Sequence, residues 1–551
     1  MQYNNSFKKV ILPLLFAVVL AAGFFGGAFF SQSEAVSSGN GGRMFVYPGK
    51  SKVGNLLEII EQQYVDSINI SEIEEKIIPD ILEDLDPHSV YIPEDKVELA
   101  NQELDGEFGG IGVQFNMQND TVMVISVVSG GPSEEVGIVP GDRIITVNDS
   151  LIAGEGIPTD QVVSMLRGEM GTVVNVGVER RGREDLIDFE ITRGSIPVHS
   201  VDISYMIEDA IGYIKISRFA RNTYQEFITG LSKLKSKGSE SVIIDLRGNS
   251  GGYLDVAINM INEILAKDEL IVYTEGKAVP RQDVYANGSG SFQDIGITVL
   301  IDEFSASASE ILAGAVQDND RGLVIGRRSF GKGLVQQQMS LTDGSAVRLT
   351  VARYYIPSGR GIQKPYDNGI EDYYRDILSR FEHGEFYEKD SIVMNDSLRY
   401  ETKGGRVVYG GGGVMPDIFV PRDTTYFNDL YFTLRDRGLI YQFALRYSDD
   451  NRDELSSFEA VKDLYQHLSH QNILDSLLDF IEERGVDFPP SEFEESKDYI
   501  STEVNAYIAR NIMDEEGFYP ILHKIDEIVI AALEAVKKGY DHDPFSIEEI
   551  E

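Results

Sequence analysis

The chain has 551 residues, 42% hydrophobic and 10% aromatic, which is enough for about three to five domains with cores and excludes wholesale disorder. Its 90 acidic and 49 basic residues give a net charge of −41, which excludes a nucleic-acid binder that relies on a positive field. It has no cysteine and only seven histidines, none in an H-E-x-x-H pattern, so disulfides, thiolate zinc sites, iron–sulfur clusters and zincins are excluded.

Lys8 and Lys9 precede a single uncharged apolar run from Val10 to Phe30. Residues 1–35 therefore read as a signal anchor or signal peptide. No A-x-A cleavage site follows, which favours a retained single-span anchor with its lysines in the cytoplasm. The rest of the chain is then expected in the cell envelope, on the periplasmic side, inner-membrane anchored or exported. Residues 50–102 form a helical region, with stripes Leu56, Leu57, Ile59, Ile60, Tyr64 and Ile73, Ile77, Ile78, Ile81, Leu82. The turn Asp86-Pro87-His88-Ser89 closes it. Residues 103–195 are β-rich, with strands expected at Val122–Val128, Arg143–Val147, Val173–Glu179 and Asp188–Thr192. One helix is expected at Thr159–Leu166, with Thr159 as N-cap.

Residues 196–365 alternate strands (Ile211–Ile216, Ser241–Asp245, Ile297–Ile301, Leu323–Ile325) with helices (Thr223–Lys237, Tyr253–Leu265, Ser307–Asp318), an α/β pattern. Residues 366–450 are a mixed extension with the glycine run Gly410–Gly413. Residues 451–551 read as helical and carry 25 acidic against 8 basic residues, the composition of solvated helix faces.

Three stretches carry candidate chemistry. The run Phe304-Ser305-Ala306-Ser307-Ala308-Ser309-Glu310 leaves a strand and opens a helix, where N–H groups favour developing negative charge. Lys332, in Phe330-Gly331-Lys332-Gly333, would serve as base if burial lowered its pKa from about 10.4 to roughly 7–8. On the residues alone, capping serines and a turn lysine explain this stretch as well. Gly326-x4-Gly331-Lys332 half-matches a P-loop, but Gly333 stands where that loop needs Ser or Thr. Gly248-Asn249-Ser250-Gly251-Gly252 matches G-x-S-x-G, making Ser250 a rival nucleophile, or else a glycine turn offering oxyanion donors.

Together these motifs resemble the C-terminal processing peptidases, or tail-specific proteases, over roughly residues 50–365. The match rests on Asp86–Ser89, Gly109–Val113, Asp245–Gly252, Ser305–Glu310 and Phe330–Gly333 with Gln336. Gly361–Tyr366 and Tyr409–Gly413 look like the longer Bacteroidetes-type forms.

The resemblance implies an α/β spiral core like crotonases and the Clp protease, with an inserted β-rich PDZ domain and a helical C-terminal extension. It implies Ser307 as nucleophile, Lys332 as base, Gln336 orienting the lysine, and an oxyanion hole from Ala308 with Gly251 and Gly252. It assigns Gly110, Ile111, Gly112 and Val113 to the substrate's terminal carboxylate, and Val162, Val163 and Leu166 to an apolar last side chain. No metal or cofactor is required. The expected partners are protein or peptide substrates with exposed apolar C-termini; an adaptor and a second copy of the chain are further candidates. Two other classes remain, a non-catalytic PDZ scaffold or chaperone and an esterase using Ser250.

Overall fold

The structure is a computed structural model and describes residues 51–545 except 118, 119, 129 and 184. The apolar run Val10–Phe30 lies outside the described residues, and no described helix is long and apolar enough to cross a membrane. The chain divides into a compact unit ending at Lys76 and a second beginning at Ile77. In the first, the helix Lys52–Gln63 is capped by Ser51, whose Oγ accepts from the Gly54 N–H at 3.1 Å.

The second unit is built on a sheet in the order Val201–Glu208, Ile211–Ile216, Ser241–Asp245, Gly296–Ile301, Leu323–Gly326, Ile418–Phe419. The first pair is antiparallel and the rest are parallel. Strands 241–245, 296–301 and 323–326 are buried at every position, as a parallel sheet covered on both faces requires. Side chains alternate between the faces. Ile214, Val242, Ile244, Val299 and Ile301 pack with helices Thr223–Ser236, Leu254–Ile264 and Ala308–Asp318. Tyr213, Ile243, Leu300 and Ile325 face Ile528, Val529 and Ala532 of the helix Glu527–Lys537. Part of the acidic C-terminal region thus covers the back of the sheet.

A second sheet centres on Ala346–Tyr355, which pairs with Val90–Ile92, Leu270–Glu275 and Leu334–Ser340. The β-rich region forms its own sheet in the order Val113–Met117, Val122–Val127, Arg143–Val147, Val173–Glu179, Ile187–Thr192, and leaves Val113–Met117 at an edge. Its helix runs Thr159–Leu166, so Thr159 already lies inside the helix and Pro158 takes the N-cap position, where no side-chain cap forms. A separate helical core joins Leu434, Phe443, Leu464, Leu477, Ile500 and Val504. The α/β core, the PDZ-like β region and the helical C-terminal part implied by the resemblance are all present.

Arg360 and Asp318 have no exposed side-chain surface and pair at 2.8 Å. Arg360 also donates to Gln317 Oε1 at 2.7 Å and to the Tyr409 carbonyl at 2.8 Å, so it pins the 409 loop to the end of helix Ala308–Asp318. Removing one partner strands a buried charge, which typically costs about 3–5 kcal/mol. Arg360→Met should therefore destabilise the core by about that amount in urea unfolding. A loss below about 1 kcal/mol would mean that Asp318 finds other partners.

Candidate active site

Of the three serines in the 305–309 run, two are fasteners. Ser305 Oγ donates to the Leu246 carbonyl and Ser309 Oγ to the Asn249 carbonyl, both at 2.9 Å, and both residues are fully buried. Only Ser307 is partly exposed. It sits at the N-cap of helix Ala308–Asp318 with φ 55° and ψ −114°. A non-glycine residue held there stores about 1–3 kcal/mol, so the surroundings must hold it firmly.

The Glu310 carboxylate provides much of that hold. It accepts from the Ser307 N–H at 2.9 Å, the Lys332 N–H at 2.8 Å, the Gly331 N–H at 2.7 Å and Ser329 Oγ at 2.5 Å. Burial pushes its pKa up to about 7, against four donors that favour the carboxylate. On the carbonyl side, the buried Tyr354 hydroxyl donates to the Ser307 oxygen at 3.1 Å and to the Lys332 oxygen. One carboxylate and one phenol thus fasten the backbone of Ser307 to that of Lys332. Neither contact was legible in the sequence, although Glu310 stands three residues after Ser307, the spacing of a capping pair.

The Lys332 ammonium position is set by Gln336, whose Oε1 accepts from Nζ at 3.1 Å. Gln336 follows a register shift in the strand pairing with Ala346–Tyr355. Its amide nitrogen donates to the His88 carbonyl. His88 belongs to a turn fixed by Asp86, which accepts from the His88 N–H at 2.8 Å and from Ser89 Oγ at 2.6 Å. The Asp86–Ser89 motif therefore supports the amide that supports the lysine. The Lys332 pKa is lowered, first by burial and then by the Arg348 charge, while Glu310 and Asp86 oppose the shift. His88 is lowered to about 4, mainly by burial, and so stays neutral through the physiological range.

Gly251 and Gly252 take φ values of 103° and 147°. A Cβ on Gly251 would lie 2.7 Å from Ser307 Cβ, and one on Gly252 would collide with the Phe219 carbonyl. The oxyanion hole expected from Ala308, Gly251 and Gly252 lacks one of its three donors. The Gly251 N–H is engaged, donating to Asn249 Oδ1 at 2.8 Å, because Asn249 folds back to brace the loop. The Ala308 and Gly252 N–H groups have no acceptor among the described residues.

Ser307, Ala308, Gly251, Gly252, Lys332 and Gln336 all line one cleft of about 570 Å³. Its other walls include Asn101, Asp105, Arg221, Tyr253, Ile311, Leu334 and Arg348. Ser250 also reaches this cleft, but no histidine lines it, so the elbow reading lacks its base.

The PDZ residues separate into groups. Gly110 pairs with Gly194 in a two-stranded ribbon, Gly112 has φ 78°, and Val113 begins the edge strand. Ile111 is 3% exposed and packs in the PDZ core. Val162 and Leu166, four apart on one helix face, are 0% and 3% exposed in the same core, which corrects their assignment to a groove wall; Val163 keeps accessible surface.

Comparisons with known proteins agree with this architecture. Residues 210–374 match peptidase family S41, residues 109–191 match a PDZ domain, and residues 430–514 match a family of unknown function. The carboxy-terminal-processing protease of Bartonella bacilliformis is 33% identical over 429 residues, covering 75% of this chain and 95% of that protein. The carboxy-terminal processing protease CtpB of Bacillus subtilis is 32% identical over 323 residues, 58% and 66% of the two chains. Among solved structures, a photosystem II D1 C-terminal processing protease shares 25% identity with a TM-score of 0.32, covering 56% of this chain and 88% of its own. The chain belongs to the carboxy-terminal processing proteases of peptidase family S41, with a PDZ domain.

Glu310→Gln would turn an N–H₂ group towards donors and orphan at least one of them, at about 1–3 kcal/mol. Amide exchange at Ser307, Gly331 and Lys332 should then accelerate about tenfold or more relative to the sheet. Unchanged protection at these three amides would show that Glu310 does not hold them.

Proposed function

We propose that this protein is a serine endopeptidase that recognises substrate C-termini through its PDZ domain and cleaves peptide bonds with a Ser307–Lys332 pair through an acyl-enzyme. The observation that carries this reading is the shared clamp. Ser307 and Lys332 open on one cleft while their backbone N–H groups meet on a single carboxylate.

In the proposed sequence, neutral Lys332, oriented by Gln336, takes the Ser307 proton as the hydroxyl oxygen attacks a peptide carbonyl. The carbonyl oxygen becomes an oxyanion facing the Ala308 and Gly252 N–H groups, the first of which also benefits from the helix N-terminus. Protonated Lys332 donates to the leaving amine, the C–N bond breaks, and Ser307 carries the acyl group. Water, deprotonated by Lys332, then attacks the ester and frees Ser307. The substrate tail adds as a strand along the free edge Val113–Met117, with its carboxylate at the Gly110–Val113 turn and its last side chain towards Val163. The apolar N-terminal run supports an envelope location for this activity.

The test is cleavage of a loosely folded protein bearing either an apolar or a charged C-terminus. Wild type should cut the apolar-tailed substrate at least tenfold faster, and Ser307→Ala should lose about 10³-fold or more of the rate. Tail binding without cleavage by the wild type would overturn the peptidase reading in favour of a scaffold.

The lysine's lowered pKa gives a second prediction with a fixed sign. Only its neutral form can take a proton, so kcat/KM should rise with pH, below the ordinary lysine range. Glu310 also titrates, near 7, so the assignment needs a variant. Arg348→Gln removes a charge that disfavours the ammonium and should move the rise to higher pH. Glu310→Gln removes the competing titration together with a charge that favours the ammonium, so the rise should persist and move to lower pH. A profile that becomes flat in Glu310→Gln would count against Lys332 as the base.

A further inference from the structure

On the opposite face of the parallel sheet from the cleft lies a second pocket of about 390 Å³. It is set between the carboxyl ends of the strands and the helical C-terminal region, where the loops of an open α/β sheet commonly receive ligands. Four guanidiniums reach it, from Arg247, Arg327, Arg422 and Arg435, and the phenol rings of Tyr426, Tyr431 and Tyr499 form a wall.

The state of these cations is what points to a ligand. Arg327 is only 6% exposed, and its Nε pairs with Glu303 at 2.9 Å. Its buried Nη1 has no hydrogen-bond partner. A buried guanidinium nitrogen without an acceptor is unfavourable unless something else satisfies it. Arg422 and Arg435 make no ion pair within 4 Å among the described residues; Arg422 lies 6.0 Å from the Phe427 ring, and Arg435 is exposed, with the buried Glu503 carboxylate in its field.

The pocket's other charges are already engaged. Lys215 and Arg247 are both held by Asp245, and Arg247 also by Asp526 at 2.8 Å. Asp302 Oδ1 accepts from the Gly248, Phe304 and Ser305 N–H groups. Glu527 is the remaining carboxylate, and burial raises its pKa, which weakens its competition for the arginines.

We infer that this pocket binds a small organic anion, with its carboxylate or phosphate on Arg327, Arg422 and Arg435 and its apolar body against the tyrosine wall. Guanidiniums match such oxyanions in geometry as well as charge. The volume exceeds what an inorganic ion fills and falls in the range of small-molecule sites. The site also adjoins the peptidase machinery. Gly248 and Asp302 line it, and each begins a loop whose far end carries the cleft residues Gly251 and Ser307.

Phenyl phosphate is a suitable probe, with inorganic phosphate and phenol as controls at constant ionic strength, read by titration calorimetry on the full chain in detergent. Phenyl phosphate should bind saturably and at least tenfold more tightly than either control. The double variant Arg422→Gln/Arg435→Gln, which spares the buried Arg327, should weaken it at least tenfold and leave the thermal transition of the free protein in place. Amide-exchange protection by phenyl phosphate should appear at residues 245–249 and 302–305. Benzoate as a further arm separates the two anion sources: binding equal to phenyl phosphate assigns a carboxylate-accepting site, weaker binding a phosphate site. Absence of saturable binding by both anions, or binding that the double variant leaves unchanged, would overturn the inference.

Discussion

The cleft depends on one buried carboxylate. Glu310 has no exposed surface and no cation within its hydrogen-bonded shell, yet it collects three backbone N–H groups and one hydroxyl. Burying a carboxylate is costly, and four donors offset much of that cost. What the arrangement secures is distance. Residues 307 and 332 come from different loops, and their relative placement would otherwise follow the motion of each. With Glu310 on the N–H side and Tyr354 on the carbonyl side, neither backbone can shift without breaking a buried hydrogen bond. The left-handed φ of Ser307 is tolerable for the same reason.

Much of this fold was legible because it obeys short-range rules. Strands 211–216, 241–245 and 323–326 announced themselves as apolar runs, and the helices between them by their period. What stayed hidden was long-range. Nothing in Ile418–Phe419 says that it joins the sheet beside Leu323–Gly326, because two residues carry no period. The acidic composition of 451–551 suggested solvated faces, but Ile528, Val529 and Ala532 lie on the inward side of Glu527–Lys537. Charge counts describe only the outer half of an amphipathic helix.

The candidate site was legible to different depths. Glycines 251 and 252 could be picked out from the Gly248–Gly252 motif, and the structure gives the reason for them in φ values of 103° and 147° against close neighbours. That only one of their N–H groups is left for an oxyanion could not, since it turns on the side chain of Asn249. In the serine run, spacing alone could not separate Ser307 from Ser305 and Ser309. The separation comes from the carbonyls of Leu246 and Asn249, about 60 residues away, which occupy the outer two hydroxyls. On the PDZ helix the same limitation applied, as a four-residue spacing marks one face but not whether that face meets core or ligand.

The electrostatics of the cleft follow from competition between burial and charge. Lys332 Nζ donates to a neutral amide oxygen, and among the described residues no carboxylate pairs with it to fix its charge. Burial and Arg348 favour the free amine, whereas Glu310 and Asp86 favour the ammonium. The first pair prevails because desolvation acts on the whole charge, while each carboxylate is already shared among donors that spread its field. The two titrating groups are linked in opposite senses. Ionising Glu310 draws a proton towards Lys332, and protonating Lys332 eases the ionisation of Glu310. Near pH 7 the four donors on Glu310 thus bear on chemistry as well as geometry: the more completely they satisfy its carboxylate, the less that charge is felt by the lysine beside it.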